Sequence, residues 1–173
     1  LVIVRGPPVV DKAILTTMRE QQDSFRLCLK GEDRWGNPSN LGDLKLKLRA
    51  NMIVEGLPDS VAFEIGKFTR VLENLNVVEA GDLIVELLDA DDNLLAKSNP
   101  CRFIADADLL PYWGDLHGQS EETIGTNSAR DFYEFARDKA FLDICVHQGN
   151  DFQITSEFWQ WLNELSAEFT EDG

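Results

Sequence analysis

The strongest constraint on this chain lies in residues 112–151, where the hydrophobic period changes from strand to helix and back again. Segment 113–117 alternates, with Trp113, Asp115 and His117 on one side of a short strand, and 142–147 (LDICVH) is a second strand-like run. Between them, 128–140 predicts an amphipathic helix whose stripe is Phe132, Phe135, Ala136 and Ala140. Ser128 is its expected N-cap and Asp131, three residues on, completes a capping-box pattern. Strand, helix and strand at this separation make a βαβ unit, whose crossover is right-handed and whose strands run parallel. The loops that follow two parallel strands open on the same edge, and α/β sheets bind their ligands there. Asp115, His117, Gln119, Asn150 and Asp151 are therefore expected to converge at that edge. A second helix is expected from Thr155 or Ser156, burying Phe158, Trp161, Leu162, Leu165 and Phe169. Trp159 lies off that stripe.

The first hundred residues have a different texture. In 44–50, LKLKLRA, Leu44, Leu46 and Leu48 oppose Lys45, Lys47 and Arg49, as on a strand with one wet face. SFRLCLK alternates in the same way, with Phe25, Leu27 and Leu29 on one side. Further strands are expected at 61–65, 68–72, 82–88, 94–96 and 101–104, separated by frequent turn residues. About seven short strands with such turns predict an antiparallel β-sandwich of immunoglobulin type. Segment 9–24 reads as a short helix or an irregular edge strand. Two acidic stretches imitate cation sites. GEDRWGNPSN, with Asp33, Asn37 and Asn40, has the Gly, Asn and Pro of a tight turn. DADDN at 89–93 begins like an EF-hand loop, but Leu94 stands at the required glycine and Pro100 at the final glutamate. A hairpin turn is expected there.

Charge divides the chain at the same place as texture. The net charge is −15, and residues 105–173 hold fifteen Asp and Glu against three Lys and Arg. The expected parts are 1–104 and 105–173, an α+β chain of two parts joined by ADADLLPY. So acidic a surface repels nucleic-acid phosphates, which argues against DNA or RNA as a partner. Its ordinary role is a solvated face. No apolar run is long enough to span a bilayer, so no membrane partner is expected. Three cysteines, Cys28, Cys101 and Cys145, lie in apolar or strand-like settings and read as free thiols. That suits a reducing cytosol, and a cytoplasmic location is the expectation. The chain does not begin with methionine and is read as a fragment.

Asp115 and His117 offer an oxygen and an imidazole nitrogen, a pairing suited to a divalent first-row transition metal. Such an ion lowers the pKa of a bound water and polarises an ester or phosphoryl oxygen. From the residues alone an Asp-x-His pair is more often a hydrogen-bonded structural pair than a metal site. Gln119 and Asn150 are neutral and suit orientation of substrate or water, while Asp151 is a ligand or a general base. Cys145 and His147 share a strand face, but without a third orienting group they read as core residues at a strand end.

YWGDLHGQS, the helix and HQGND together resemble the opening of a PHP-type domain (polymerase and histidinol phosphatase), in a bacterial branch with an Ig-like domain in front. The resemblance implies a distorted seven-stranded βα barrel, here only its βαβα start, and metal-dependent hydrolysis of a phosphoester. It also implies a phosphorylated small-molecule substrate. Of the family's first His-x-His motif His117 is present and Gln119 replaces the second histidine. The family's Asp-His pair falls on Gly149 and Asn150, with Asp151 following, and its next acidic position falls on Ile124. The resemblance implies that Asp115 and His117 are metal ligands and that Asp151, Asn150 and Gln119 serve catalysis. It also implies that the isolated chain is inactive and shields an apolar flank by self-association or by folding back on the sandwich. The competing class is an Ig-like binding or domain-packing module attached to a degenerate PHP-like domain.

Overall fold

The computed structural model describes residues 12–39, 44–64, 66–149 and 153–170. The chain divides into two compact units, Leu1–Pro111 and Tyr112–Gly173, so that 105–111 belongs with the first.

Among the described residues the first unit has ten strands: β1 (Lys12–Arg19), β2 (Ser24–Glu32), β3 (Leu46–Ala50), β4 (Val54–Glu55), β5 (Ser60–Val61), β6 (Thr69–Val77), β7 (Gly81–Leu83), β8 (Val85–Leu88), β9 (Leu94–Lys97) and β10 (Cys101–Phe103). They form two four-stranded sheets, β1-β2-β6-β4 and β5-β3-β8-β9, and the pair β10-β7. Every pairing in these sheets is antiparallel. The alternating residues of both larger sheets meet in one core, with Phe25, Leu27 and Leu29 from β2, Leu75 from β6, and Leu46 and Leu87 from β3 and β8. Phe25 and Phe103 touch at 5.9 Å between ring centroids inside it.

Several boundaries differ from the sequence expectation. Segment 9–24 contains a regular strand, β1, paired with β2 from Lys12↔Glu32 to Arg19↔Phe25. Ala13, Leu15 and Thr17 are buried at alternate positions, and its outer edge is closed by Asn99: the Thr17 backbone N–H donates to Asn99 Oδ1 at 2.7 Å and Asn99 Nδ2 donates to the Thr17 carbonyl at 3.0 Å. β3 begins at Leu46, and Leu44 is exposed. Of 61–65 only Val61 is in a strand, while Ile65 lies outside the described residues. Segment 82–88 is two strands broken at Ile84, whose halves pair with β10 and with β3. β6 runs on to Val77 through a bulge opposite Phe25 and Leu27. Asn74 sits in that bulge at φ 59°, a left-handed position that asparagine tolerates better than most residues. Turns occur at both acidic imitations. The Asp33 carboxylate accepts from the backbone of Trp35 and Asn37, and Asp89–Asn93 turns the β8–β9 hairpin. Asn40 lies outside the described residues.

The second unit has the order β11 (Gly114–Gly118), α1 (Ala129–Phe135), a π-helical turn (Ala136–Ala140), β12 (Ile144–His147) and α2 (Ser156–Phe169). β11 and β12 pair in parallel, as the period change requires. Ser128 caps α1 with the full reciprocal bonding to Asp131, and Thr155 caps α2 by accepting from the Phe158 N–H. Phe141 at φ 56° closes the π turn, and the chain leaves for β12. The buried face of the first helix differs from the expected stripe. Its buried face is Ala129, Tyr133 and Ala136 with Phe132 at the margin, whereas Phe135 is exposed. Tyr133 is held there from α2, stacked on Phe169 with its hydroxyl 2.8 Å from Ser166 Oγ. From α2, Leu162 and Leu165 are buried and Phe158 and Phe169 partly so, while Trp161 and Trp159 are exposed. Both helices pack with Cys145 in one small core. Ile144 and Val146, on alternate positions of β12, are exposed instead, as are Trp113 and Leu116. Among the described residues no helix is long and apolar enough to cross a membrane.

Candidate functional site at the ends of the parallel strands

The entry to the pair is fixed by Asp143, whose Oδ2 accepts from the Trp113 N–H at 2.8 Å. Its backbone and that of Ile144 both donate to the Trp113 carbonyl. From there the register is Gly114↔Ile144, Asp115↔Cys145 and Gly118↔His147, with an irregularity between Asp115 and Gly118. Three steps on β11 thus match two on β12, so strict alternation does not carry through Asp115, Leu116 and His117. All three side chains are exposed. Asp115 Oδ1 accepts from the His117 backbone N–H at 2.9 Å, turning this carboxylate along its own strand.

Gly118 then passes directly beneath the ring of Phe132, where a Cβ would lie 2.1 Å from Cζ. That approach lets the Gln148 N–H donate to the Gly118 carbonyl at 2.7 Å and holds the two strand ends together. Beyond Gly118, Gln119 is half-buried and its Oε1 accepts from Thr123 Oγ1 at 2.6 Å. Glu122 turns back onto α1, where its Oε2 accepts from the Ala129 N–H at 3.2 Å and satisfies one of the donors a helix start leaves open. Asn150 and Asp151 lie outside the described residues.

Ser120 and His147 were not singled out as a pair by the sequence. Ser120 is fully buried, and its Oγ lies 2.7 Å from His147 Nε2. His147 is 8% exposed, between the edges of Phe132 and Phe158 with ring centroids 6.1 and 6.0 Å away. Burial holds its imidazole below the ordinary value, against the opposing pull of Glu122. The signal in the sequence was a serine three residues past His117 and a histidine ending the next strand; only the parallel register brings them face to face. Cys145, the other residue on that face, is half-buried. Its thiol is pushed up by burial and then by Asp115, which keeps it protonated and a poor nucleophile.

For a metal ion the described residues offer Asp115 and His117, two donors where a tetrahedral site needs four. Among the described residues no group of three or more His, Cys, Asp or Glu could hold an ion. The pair does not make a resident site by itself.

Fold and site together define an α+β chain: a β-rich antiparallel unit, then a small unit with one parallel strand pair under two helices. No family model and no solved structure matches this chain. It is similar to an uncharacterised protein of Chlamydia pneumoniae, 23% identical over 152 residues, and to one of Chlamydia trachomatis serovar D, 24% identical over 152 residues. Each alignment covers 86% of this chain and 24% of the relative, so the chain spans about a quarter of the length of the curated relatives it matches.

Proposed function

We propose that the whole protein is a metal-dependent hydrolase acting on a phosphoester, in which this chain contributes an Ig-like sandwich and the first strand ends of a PHP-like α/β domain. The observation that carries this reading is the parallel pairing of β11 and β12 with Gln148 bonded to Gly118. It gives the loops after both strands a common edge, the place where α/β sheets bind ligands. His117 and Asp115 stand exposed on β11, and β12 ends beside it at His147. In this reading they are the first two donors. Asn150, Asp151 and donors from elsewhere in a longer protein complete the set, with Gln119 orienting substrate.

A non-catalytic reading draws support from the same strand. Asp115 is already bonded to the backbone of His117, and an Asp-x-His pair satisfied in this way needs no ion. In that case the sandwich binds or packs, and the altered α/β unit has lost its chemistry. The two readings part on hydrolysis of a generic phosphodiester by the whole protein, assayed before and after chelation with divalent metal restored. Turnover abolished by chelation and regained with Mn²⁺ or Zn²⁺ is expected of the hydrolase. Absence of turnover under every metal favours the packing module. The isolated 173-residue chain is expected to show no turnover in either case.

A further inference from the structure

The loop that follows β11 is wound around one residue. The carbonyl of Ser120 accepts from the N–H groups of Thr123 at 2.9 Å and Gly125 at 2.7 Å. Gly125 lies so close that a Cβ there would stand 2.7 Å from the Gln119 carbonyl and the Ser120 nitrogen. Thr123 in turn holds the Gln119 side chain, and Gln153 donates to the Thr123 carbonyl at 3.1 Å. Whatever fixes Ser120 therefore fixes the whole turn. The side chain of Ser120 has its bond to His147 at the end of β12.

Buried polar atoms are nearly always paired, yet His147 Nδ1 has no partner among the described residues. That orphan decides the tautomer. If Ser120 donates to Nε2, the imidazole proton sits on Nδ1 and one buried donor is left unmet. If Nε2 donates to Ser120, the serine proton loses its acceptor and Nδ1 becomes an unmet acceptor, which is two losses. The first arrangement leaves fewer buried groups unsatisfied.

We propose that His147 is a positioning residue for the strand-end loop: as a neutral imidazole protonated on Nδ1, it accepts from Ser120 and so pins the 119–125 turn, with Gln119 on it, to the end of β12. The serine can donate in this one protonation state alone. An imidazolium would present N–H at Nε2 and reverse the bond, so that the serine proton loses its acceptor, and would place a charge between two phenyl rings. The groups around it are Phe132 from α1, Phe158 from α2, Cys145 on its own strand, and Ser120 and Glu122 from the loop. Glu122 alone of these carries a charge, and its hydrogen bond to the start of α1 occupies it elsewhere. Acid is thus expected to release the turn. The consequence for catalysis rests on the hydrolase reading; the positioning does not, and neither metal nor substrate enters its test.

The test is made on the ¹⁵N-labelled 173-residue chain by imidazole nitrogen shifts and amide exchange at Thr123 and Gly125, corrected for intrinsic rates. The expected result is a neutral His147 with Nδ1–H, and protection at both amides that falls as His147 titrates. Ser120→Ala is expected to raise exchange at both amides about five- to tenfold, the loss of one hydrogen bond. His147→Gln, which keeps an acceptor for the serine, is expected to retain protection and to lose its pH dependence. A wild-type ring protonated on Nε2, protection unmoved through the titration, or unchanged exchange in Ser120→Ala would each overturn the assignment. Should either variant fail to fold, the wild-type tautomer and pH profile decide.

Discussion

Gly118 shows how much can hang on a missing side chain. The ring of Phe132 occupies the space a methyl group would need, at 2.1 Å from the ideal Cβ position. Gly118→Ala must displace either that ring or β11, and over-packing of this kind costs about 1–3 kcal/mol. Denaturant unfolding followed by Trp159 or Trp161 fluorescence should register it, and a neutral outcome would mean that Phe132 moves aside freely. At this scale the sequence was only partly legible. Asp115 and His117 stood out through their spacing, and they do lie on one strand. The inference that alternation aims them together fails at the irregularity after Asp115, which no spacing rule discloses. In sequence His147 stands two residues from Cys145, on the same strand face. Its actual partner, Ser120, is 27 residues away and is found through register alone.

Elements were more legible than contacts because their signals are local. The capping box at Ser128 and Asp131 and the cap at Thr155 are present as their residue types require. Ser128→Ala removes the bond to the Asp131 N–H and is expected to lower stability by about 1 kcal/mol. Circular dichroism during denaturation measures it, and a change within a few tenths would indicate that Glu122 alone secures the start of α1. The buried stripe of that helix departs from its sequence period for a tertiary reason. Tyr133 has a polar tip that sequence period counts against burial, but Ser166 on α2 receives it. Likewise β1 was obscured by its charged ends and two threonines, although one of those, Thr17, is buried and paired to Asn99. Where the alternation was apolar and uninterrupted, as in β2, strand and face were both correct. Where a strand changes sheets at Ile84, nothing in the local pattern marks the break.

Across the whole molecule, the two units should answer acid differently. Both histidines lie in the second, at His117 and His147. The neutral form of His147 is favoured by folding, so its contribution is complete above the ordinary imidazole value near 6.5 and diminishes as pH falls below it. In the first unit the groups held below their usual range are carboxylates: Asp33 by Asn37, Asp82 by Arg102, Glu86 by Lys97 and Arg49, and Asp89 by Asn93. Their contribution is present above the ordinary carboxylate range and is lost only as pH drops below about 4. Between those limits, hydrogen exchange should show α1 and β12 loosening while β2 and β6 stay protected; simultaneous loosening would contradict it. Furthest from the sequence is the proposed hydrolase reading, because the parallel pair supplies an edge with Asp115 and His117 exposed on it rather than a finished site. Bound metal in the whole protein therefore decides most directly. Purified wild type should hold divalent metal at about one ion or more per chain, and His117→Ala, shown by circular dichroism to be folded, should lose most of it, since a lost imidazole donor lowers affinity at least about tenfold. A folded His117→Ala protein that keeps its full metal content, or a wild type that binds none, would contradict the hydrolase reading.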